Sequence, residues 1–170
     1  SNRCTYCAIP AIRGPYISRP MEEVLEEAEG LAKKGIEEVI VIAQDTTKYG
    51  IDLYGESKLA ELLKKICKIE GFKWVRFLYA YPESITDELI EVVKTEEKIC
   101  HYFDIPIQHY SDKVLKRMNR KSDGASIERL IEKIRKEIPD VILRTSLIVG
   151  FPGETEEDFN ELCEWVKEMK

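Results

Sequence analysis

The chain has 170 residues, of which 44% are hydrophobic and 34% charged, and a formal net charge of −6. At that length roughly 70% of the unfolded surface can be buried without staples, and the hydrophobic content excludes a disordered chain. No apolar run approaches the ~20 residues of a membrane span, five irregularly spaced cysteines do not form a secreted disulfide framework, and the acidic balance argues against a general nucleic-acid coat. The expectation is a cytoplasmic chain with reduced thiols and no membrane partner. The sequence opens on Ser1-Asn2-Arg3 and stops at Lys170 within a helical pattern, so a segment of a longer protein is expected.

In chain order, the first helix is expected from Pro20. Proline suits a first helical position, and Glu22 and Glu23 suit the positive end of the helix dipole. Its stripe is Met21, Val24, Leu25, Ala28, Leu31 and Ala32, and Gly35 can end it. Val39 to Ala43 is a continuous apolar run, which predicts a strand buried on both faces of a parallel sheet. Leu59, Leu62, Leu63 and Ile66 form a second stripe, followed by a strand near 74–80. Thr86 and Asp87 open a third helix carrying Leu89, Ile90 and Val93, followed by a strand near 102–107. Ile127, Leu130, Ile131, Ile134 and Ile138 give the clearest stripe, and a strand follows near 141–149. Thr155 to Asp158 reads as a capping box opening the last helix. Helix and strand thus alternate every 30 to 40 residues, which predicts an α/β fold with four parallel strands and five main helices. Active sites of such folds sit at the carboxyl ends of the strands, so the loops near 1–19, 44–57, 80–85, 108–124 and 150–155 are the ones to inspect.

Cys4-Thr5-Tyr6-Cys7 is the one pair of thiols spaced to grip a metal or cluster. A zinc ribbon needs a second pair. A thioredoxin-like pair should open a helix, whereas here twelve residues, with Pro10 and Pro15 among them, precede the first long one. Two free surface thiols are the bland reading. Against it, Arg3, Arg13 and Arg19 are the only charges in the first 20 residues, a setting that favours thiolate.

The loop Ser1 to Pro10, with Arg13-Gly14 and Ser18-Arg19-Pro20, resembles the cluster loop of radical S-adenosylmethionine enzymes, in their methylthiotransferase branch. That family carries C-x3-C-x2-C. Cys4 and Cys7 match its second and third cysteines, and the first would stand immediately before Ser1. Four further stretches agree in order: Gln44-Asp45-Thr46-Thr47, Asp104 to His109, Leu115 to Arg120, and Ile148 to Thr155. The resemblance covers nearly the whole chain. It implies a partial parallel (β/α) barrel of the radical SAM type, truncated at both ends, with helices outside only. The family's first strand, first cluster cysteine, N-terminal cluster domain and C-terminal TRAM domain would lie outside residues 1–170.

The same resemblance implies the chemistry. Three cysteine thiolates hold a 4Fe–4S cluster whose fourth iron stays open, and S-adenosylmethionine binds there. One electron, from a donor such as flavodoxin or ferredoxin, releases a 5′-deoxyadenosyl radical. The cofactor carries the reaction, and the protein orients it. A second cluster belongs to the N-terminal domain. The Gln44-Asp45-Thr46 and Gln108-His109 forms are most similar to the type that methylthiolates the β-carbon of an aspartate in a small-subunit ribosomal protein. The rivals are a type that modifies adenosine in tRNA, and a non-catalytic α/β module. With one ligand cysteine outside it, this segment is expected to be inactive alone.

By the resemblance, Cys4 and Cys7 are metal ligands. Tyr6, Gln44, Gln108, Arg144, Gly150 and Phe151 are cofactor-binding candidates, with Tyr6 and the Gly150-Phe151 backbone near the adenine. Gln44 and Gln108 either face the cofactor or cap loops, and Arg144 pairs either with the cofactor carboxylate or with a neighbouring acid. His109 lies in a motif at a strand end and reads either as functional or as packing. Cys67 and Cys163 extend helical stripes and read as core thiols. Lys113, Lys116, Arg117, Arg120 and Lys121 form a basic run that reads as a solvated helix face.

Overall fold

The computed structural model describes residues 2–169. Four short parallel strands lie in chain order: β1 (Glu38–Val41), β2 (Trp74–Phe77), β3 (Tyr102–Asp104) and β4 (Ile142–Arg144). β1 pairs with β2, Glu38 facing Trp74, and β3 pairs with β4, Tyr102 facing Ile142. The two ladders join through Val75, whose N–H donates to Lys98 O at 2.8 Å and whose carbonyl accepts from Cys100 N at 3.0 Å. Ala80 N–H adds a bond to Asp104 O at 2.9 Å. All observed pairings are parallel, as the sequence predicts.

The strands are shorter than the apolar runs that announced them. Tyr79 and Gln108 both take left-handed backbone conformations, with φ of 61° and 74°, just past β2 and β3. Such residues interrupt an extended ladder and turn the chain into the loop above the strand.

Five long helices stand where the stripes place them: α2 (Met21–Lys33), α4 (Leu59–Cys67), α5 (Asp87–Thr95), α7 (Gly124–Glu137) and α8 (Glu156–Glu168). Three short helices lie in the loops: α1 (Ile9–Arg13), α3 (Ile51–Tyr54) and α6 (Asp112–Arg117). Side-chain caps fix three of the long ones, α5, α7 and α8. Thr86 Oγ1 accepts from Leu89 N, Thr155 forms the expected reciprocal box with Asp158, and Asp123 forms a second box with Ser126. Each such cap is worth about 1 kcal/mol.

The core lies between these helices and one face of the strands. Leu63, Val75, Phe77, Val93, Phe103 and Ile134 are fully buried. Phe77 and Phe103 meet edge to face, 5.4 Å apart, and lock β2 to β3. Each buried aliphatic or aromatic side chain contributes about 1.5–3 kcal/mol, so Leu63→Ala costs about 2–5 kcal/mol once the residual cavity is included.

The expectation that β1 is buried on both faces is corrected. Ile40 is 47% and Ile42 67% exposed, while Val39 and Val41 pack against the core. Trp74 and Ile142 are exposed on the same side of their strands. The helices cover only the outer face, and the inner face carries its own polar contacts. Arg76 pairs with Glu38 at 2.5 Å and lies over the Tyr102 ring, and Arg144 pairs with Asp104 at 3.0 Å.

Candidate functional site

At the carboxyl ends of the strands, the cysteine loop is sewn to two other segments. Thr5 N–H donates to Met118 O at 3.1 Å, Thr5 Oγ1 to Arg117 O at 2.9 Å, and Asn119 Nδ2 to Arg3 O at 2.7 Å. Asn119 reaches this position because its backbone is left-handed, φ 57°, a conformation asparagine tolerates. From the other side Asn2 Nδ2 donates to Asp45 Oδ2 at 2.7 Å. Asp45 is buried, and it also accepts from the Thr47 hydroxyl and faces the Lys48 ammonium at 3.5 Å. The Gln44-Asp45-Thr46-Thr47 stretch thus anchors the cysteine loop.

Within the loop, Cys7 N–H donates to Cys4 O at 3.1 Å, closing a turn that sets both thiols on one short bend. Cys4 is buried and its Sγ lies 3.7 Å from the Tyr81 hydroxyl, while Cys7 is half-buried. Tyr6 meets the Phe151 ring edge-on, 6.4 Å between centroids. The Tyr6 and Tyr81 hydroxyls are both pushed well above the usual phenol range, first by burial and then by the neighbouring Cys4. Both stay protonated, and the Tyr81 hydroxyl can donate to Cys4 Sγ.

Arg120 reverses an expectation. It belongs to the basic run expected to face solvent, yet it is only 8% exposed. Its guanidinium lies 4.4 Å over the Tyr81 ring centroid, and Nη2 donates to Pro106 O at 3.0 Å. Its Nε and Nη1 are buried without a partner. Lys113, Lys116, Arg117 and Lys121 are exposed, as expected.

The Gly150-Phe151 backbone is held from below. Phe151 N–H donates to Glu154 Oε2 at 2.8 Å, and Glu154 N–H returns to Phe151 O at 2.8 Å. Glu154 Oε1 lies 3.5 Å from His109 Nε2. His109 is fully buried, and its Nδ1 accepts from Ser111 N–H at 3.0 Å. That bond leaves the ring proton of neutral His109 on Nε2, facing the carboxylate. Gly150 has φ 77° with open space where a Cβ would stand, so the turn conformation requires the glycine here.

The remaining candidates divide. Arg144 pairs with the buried Asp104, whose second oxygen accepts from Tyr79 N–H at 3.0 Å, so the neighbouring-acid alternative is the one the structure contains. Gln108 occupies its left-handed position with its Nε2 3.5 Å from Pro106 O, and its own N–H and C=O pair with Ser146 and Ile148. Gln44 is exposed at the end of β1. Tyr6 and Phe151 are therefore brought together beside Cys4 and Cys7, whereas Gln44, Gln108 and Arg144 line the strand ends without touching the cysteine loop through any described hydrogen bond. Sequence reasoning missed Arg120 and Glu154. Both stand in stretches that carry the family resemblance, Leu115 to Arg120 and Ile148 to Thr155, but neither carries a local sign of burial.

The cysteine bend fits two ligands of an iron–sulfur cluster. Two thiols share one turn, with the Tyr81 phenol 3.7 Å from Cys4 Sγ and the buried Arg120 guanidinium over that phenol's ring. Among the described residues no group of three histidine, cysteine or acidic side chains gathers to hold a metal ion. Cys67 is buried, and burial pushes its thiol up to about 11, so it is an inert core thiol. Cys163 is only half-buried.

The chain matches the family model of the Radical SAM superfamily over residues 1–166. It is 73% identical over 169 residues to a protein named ribosomal protein uS12 methylthiotransferase RimO from Alkaliphilus oremlandii, covering 99% of this chain and 39% of that protein. It is 58% identical over 170 residues to the protein of the same name from Clostridioides difficile, covering 38% of it. The chain thus spans about two fifths of the length of the curated relatives it matches. In fold it is similar to a radical S-adenosylmethionine methyltransferase, TsrM, from Kitasatospora setae, solved with cobalamin and a 4Fe-4S cluster bound. That likeness has a TM-score of 0.77 at 18% identity over 99% of this chain and 32% of the other. A cobalamin-dependent radical enzyme, OxsB, gives a TM-score of 0.65 at 14% identity over 96% of this chain and 24% of the other. Since the matched stretch runs from the cysteine bend through most of the last helix, with the βα order and the strand-end loops between them, the chain belongs to the radical SAM superfamily, whose members use a 4Fe–4S cluster and S-adenosylmethionine.

Proposed function

We propose that this chain is the catalytic barrel of a methylthiotransferase acting on ribosomal protein uS12, adding a methylthio group to the β-carbon of an aspartate. The observation that carries the reading is the 73% identity to a relative of that name, extending over 99% of this chain and hence over every loop that meets at the cysteine bend. Cys4 and Cys7 would hold two irons of the cluster. Tyr6, Gly150 and Phe151 would border the adenine, and Gln44, Gln108 and Arg144 would face the cofactor from the strand ends. The bound cluster and S-adenosylmethionine supply a carbon radical able to abstract hydrogen from an unactivated side chain.

The chain's own part is to hold these groups still. The turn at Cys4–Cys7 presents both thiols on one face, with a phenol at 3.7 Å from Cys4 Sγ to donate to it. The Glu154 bond to Phe151 N–H fixes the peptide that would edge the adenine. Such positioning is the protein's main contribution in cofactor-driven chemistry. The reading also calls for a one-electron donor of the flavodoxin or ferredoxin type, a second cluster elsewhere in the full protein, and the ribosome as partner in the cytoplasm.

The test is co-expression of the full-length protein with uS12, followed by mass spectrometry of uS12 and of tRNA. A methylthio mass on a uS12 aspartate is expected. A methylthio adenosine in tRNA with uS12 unmodified overturns the choice of target, and neither product overturns the activity.

A further inference from the structure

Arg120 poses an energetic question. A guanidinium that is more than nine-tenths buried has two nitrogen atoms, Nε and Nη1, with no acceptor and a single described hydrogen bond, from Nη2 to Pro106 O. A buried donor without a partner costs about 1–3 kcal/mol, and more in a charged group. Packing alone does not require such a residue, because a neutral side chain over Tyr81 would avoid the cost. The surroundings show where the charge acts. Its electrostatic neighbours are Tyr6, Glu83, Tyr81 and Cys4. Tyr81 stands between the guanidinium and the thiol, its ring 4.4 Å from the cation and its hydroxyl 3.7 Å from Cys4 Sγ.

We propose that Arg120, through its fixed charge beside Cys4 and Tyr81, is a positioning residue that raises the reduction potential of the cluster held at Cys4 and Cys7. The inference rests on the reading of those cysteines as cluster ligands. The physical reason is simple. A cluster bound by thiolates is anionic, and reduction adds one electron and no proton, deepening the negative charge. A buried cation favours the more negative state, and net charge and hydrogen bonding near the sulfurs are what set such potentials. The stacked phenol donates toward the sulfur from the same side. In the protein alone the charge has the exposed Glu83 carboxylate as an anionic neighbour, and the bound cluster adds a further counter-charge.

The test is a mediated dithionite titration of the full-length, cluster-loaded protein, with dithionite as the electron source and the reduced cluster followed by electron paramagnetic resonance. The barrel cluster is the signal that Cys4→Ala removes. Arg120→Gln should lower its reduction equilibrium constant at least tenfold, about 59 mV for one electron, while Arg120→Lys, which keeps the charge, should change it less than threefold. Glu83→Gln removes an exposed negative group facing Arg120 and should move the potential the opposite way. An unmoved potential in Arg120→Gln, or in Glu83→Gln where the former loads no cluster, overturns the inference. So does a Lys variant shifted as far as the Gln variant, which would assign the effect to packing. A parent protein with no Cys4-dependent signal instead overturns the cluster reading, and this inference with it.

Discussion

His109 Nε2 lies 3.5 Å from Glu154 Oε1, and both side chains are almost wholly buried, at 0% and 5% exposure. The contact links the loop after β3 to the turn after β4. Through it a residue at one strand end steadies the Phe151 peptide at the next, because the second Glu154 oxygen accepts from Phe151 N–H.

Glu154→Ala should therefore leave the Phe151 N–H without its acceptor, while His109 Nε2, which makes no hydrogen bond in the structure, loses only a carboxylate at 3.5 Å. Unpaired buried groups cost about 1–3 kcal/mol, which should appear as a lowered melting temperature. Binding of S-adenosylmethionine to the full-length protein, followed by calorimetry, should weaken. Glu154→Gln keeps an acceptor for Phe151 N–H and should weaken it less. Equal binding by the parent and the Ala variant would sink the role.

The cysteines should separate cleanly. In the full-length protein Cys4→Ala or Cys7→Ala should abolish the barrel cluster and the cleavage of S-adenosylmethionine. Cys67→Ala and Cys163→Ala should keep both, at a cost of about 1 kcal/mol. Because burial raises the Cys67 thiol to about 11, iodoacetamide at neutral pH should label it far more slowly than the half-buried Cys7. Loss of the cluster in a folded Cys67→Ala protein would contradict the ligand assignment.

The 170-residue chain by itself should take up no stoichiometric 4Fe–4S cluster. Its described residues offer two thiols on one bend and no group of three ligands. Iron and sulfide analysis after anaerobic reconstitution, with the visible spectrum, gives the answer. Four irons per chain would refute it.

Acid should loosen α8 late. Asp158 sits at about 2, held below the ordinary carboxylate value by Ser111 Oγ first and then by the Thr155 backbone and hydroxyl. Ser111 donates to it at 2.6 Å. A depressed carboxyl stabilises the fold fully above its ordinary value near 3.8, and that stability is lost as pH falls toward 2. Asp158→Asn should therefore be less stable than the parent at pH 6, with the difference shrinking below pH 4. Urea midpoints at several pH values measure this, and a gap that widens in acid would refute it.

What the sequence by itself determined is what depends on near neighbours. Helix stripes at spacings of three and four, Thr86 and Thr155 as caps, the βα order and the bend of Cys4 and Cys7 are all set within a few residues, and each stands in the structure. The tertiary structure alone decided which side of β1 is covered, because Val39 to Ala43 is apolar throughout and only packing of the helices on one face leaves Ile40 and Ile42 open. It also decided Arg120 and Glu154. In the sequence Arg120 is one more cation in a basic run and Glu154 one more acid before a helix. Their burial comes from Tyr81 and Pro106 in one case and from His109 and Phe151 in the other. Those partners lie three to forty-five residues away, and Arg120 meets Tyr81, like Glu154 and His109, only once separate strand ends converge. A charge declares its cost only where water has been removed, and no local pattern records where that is.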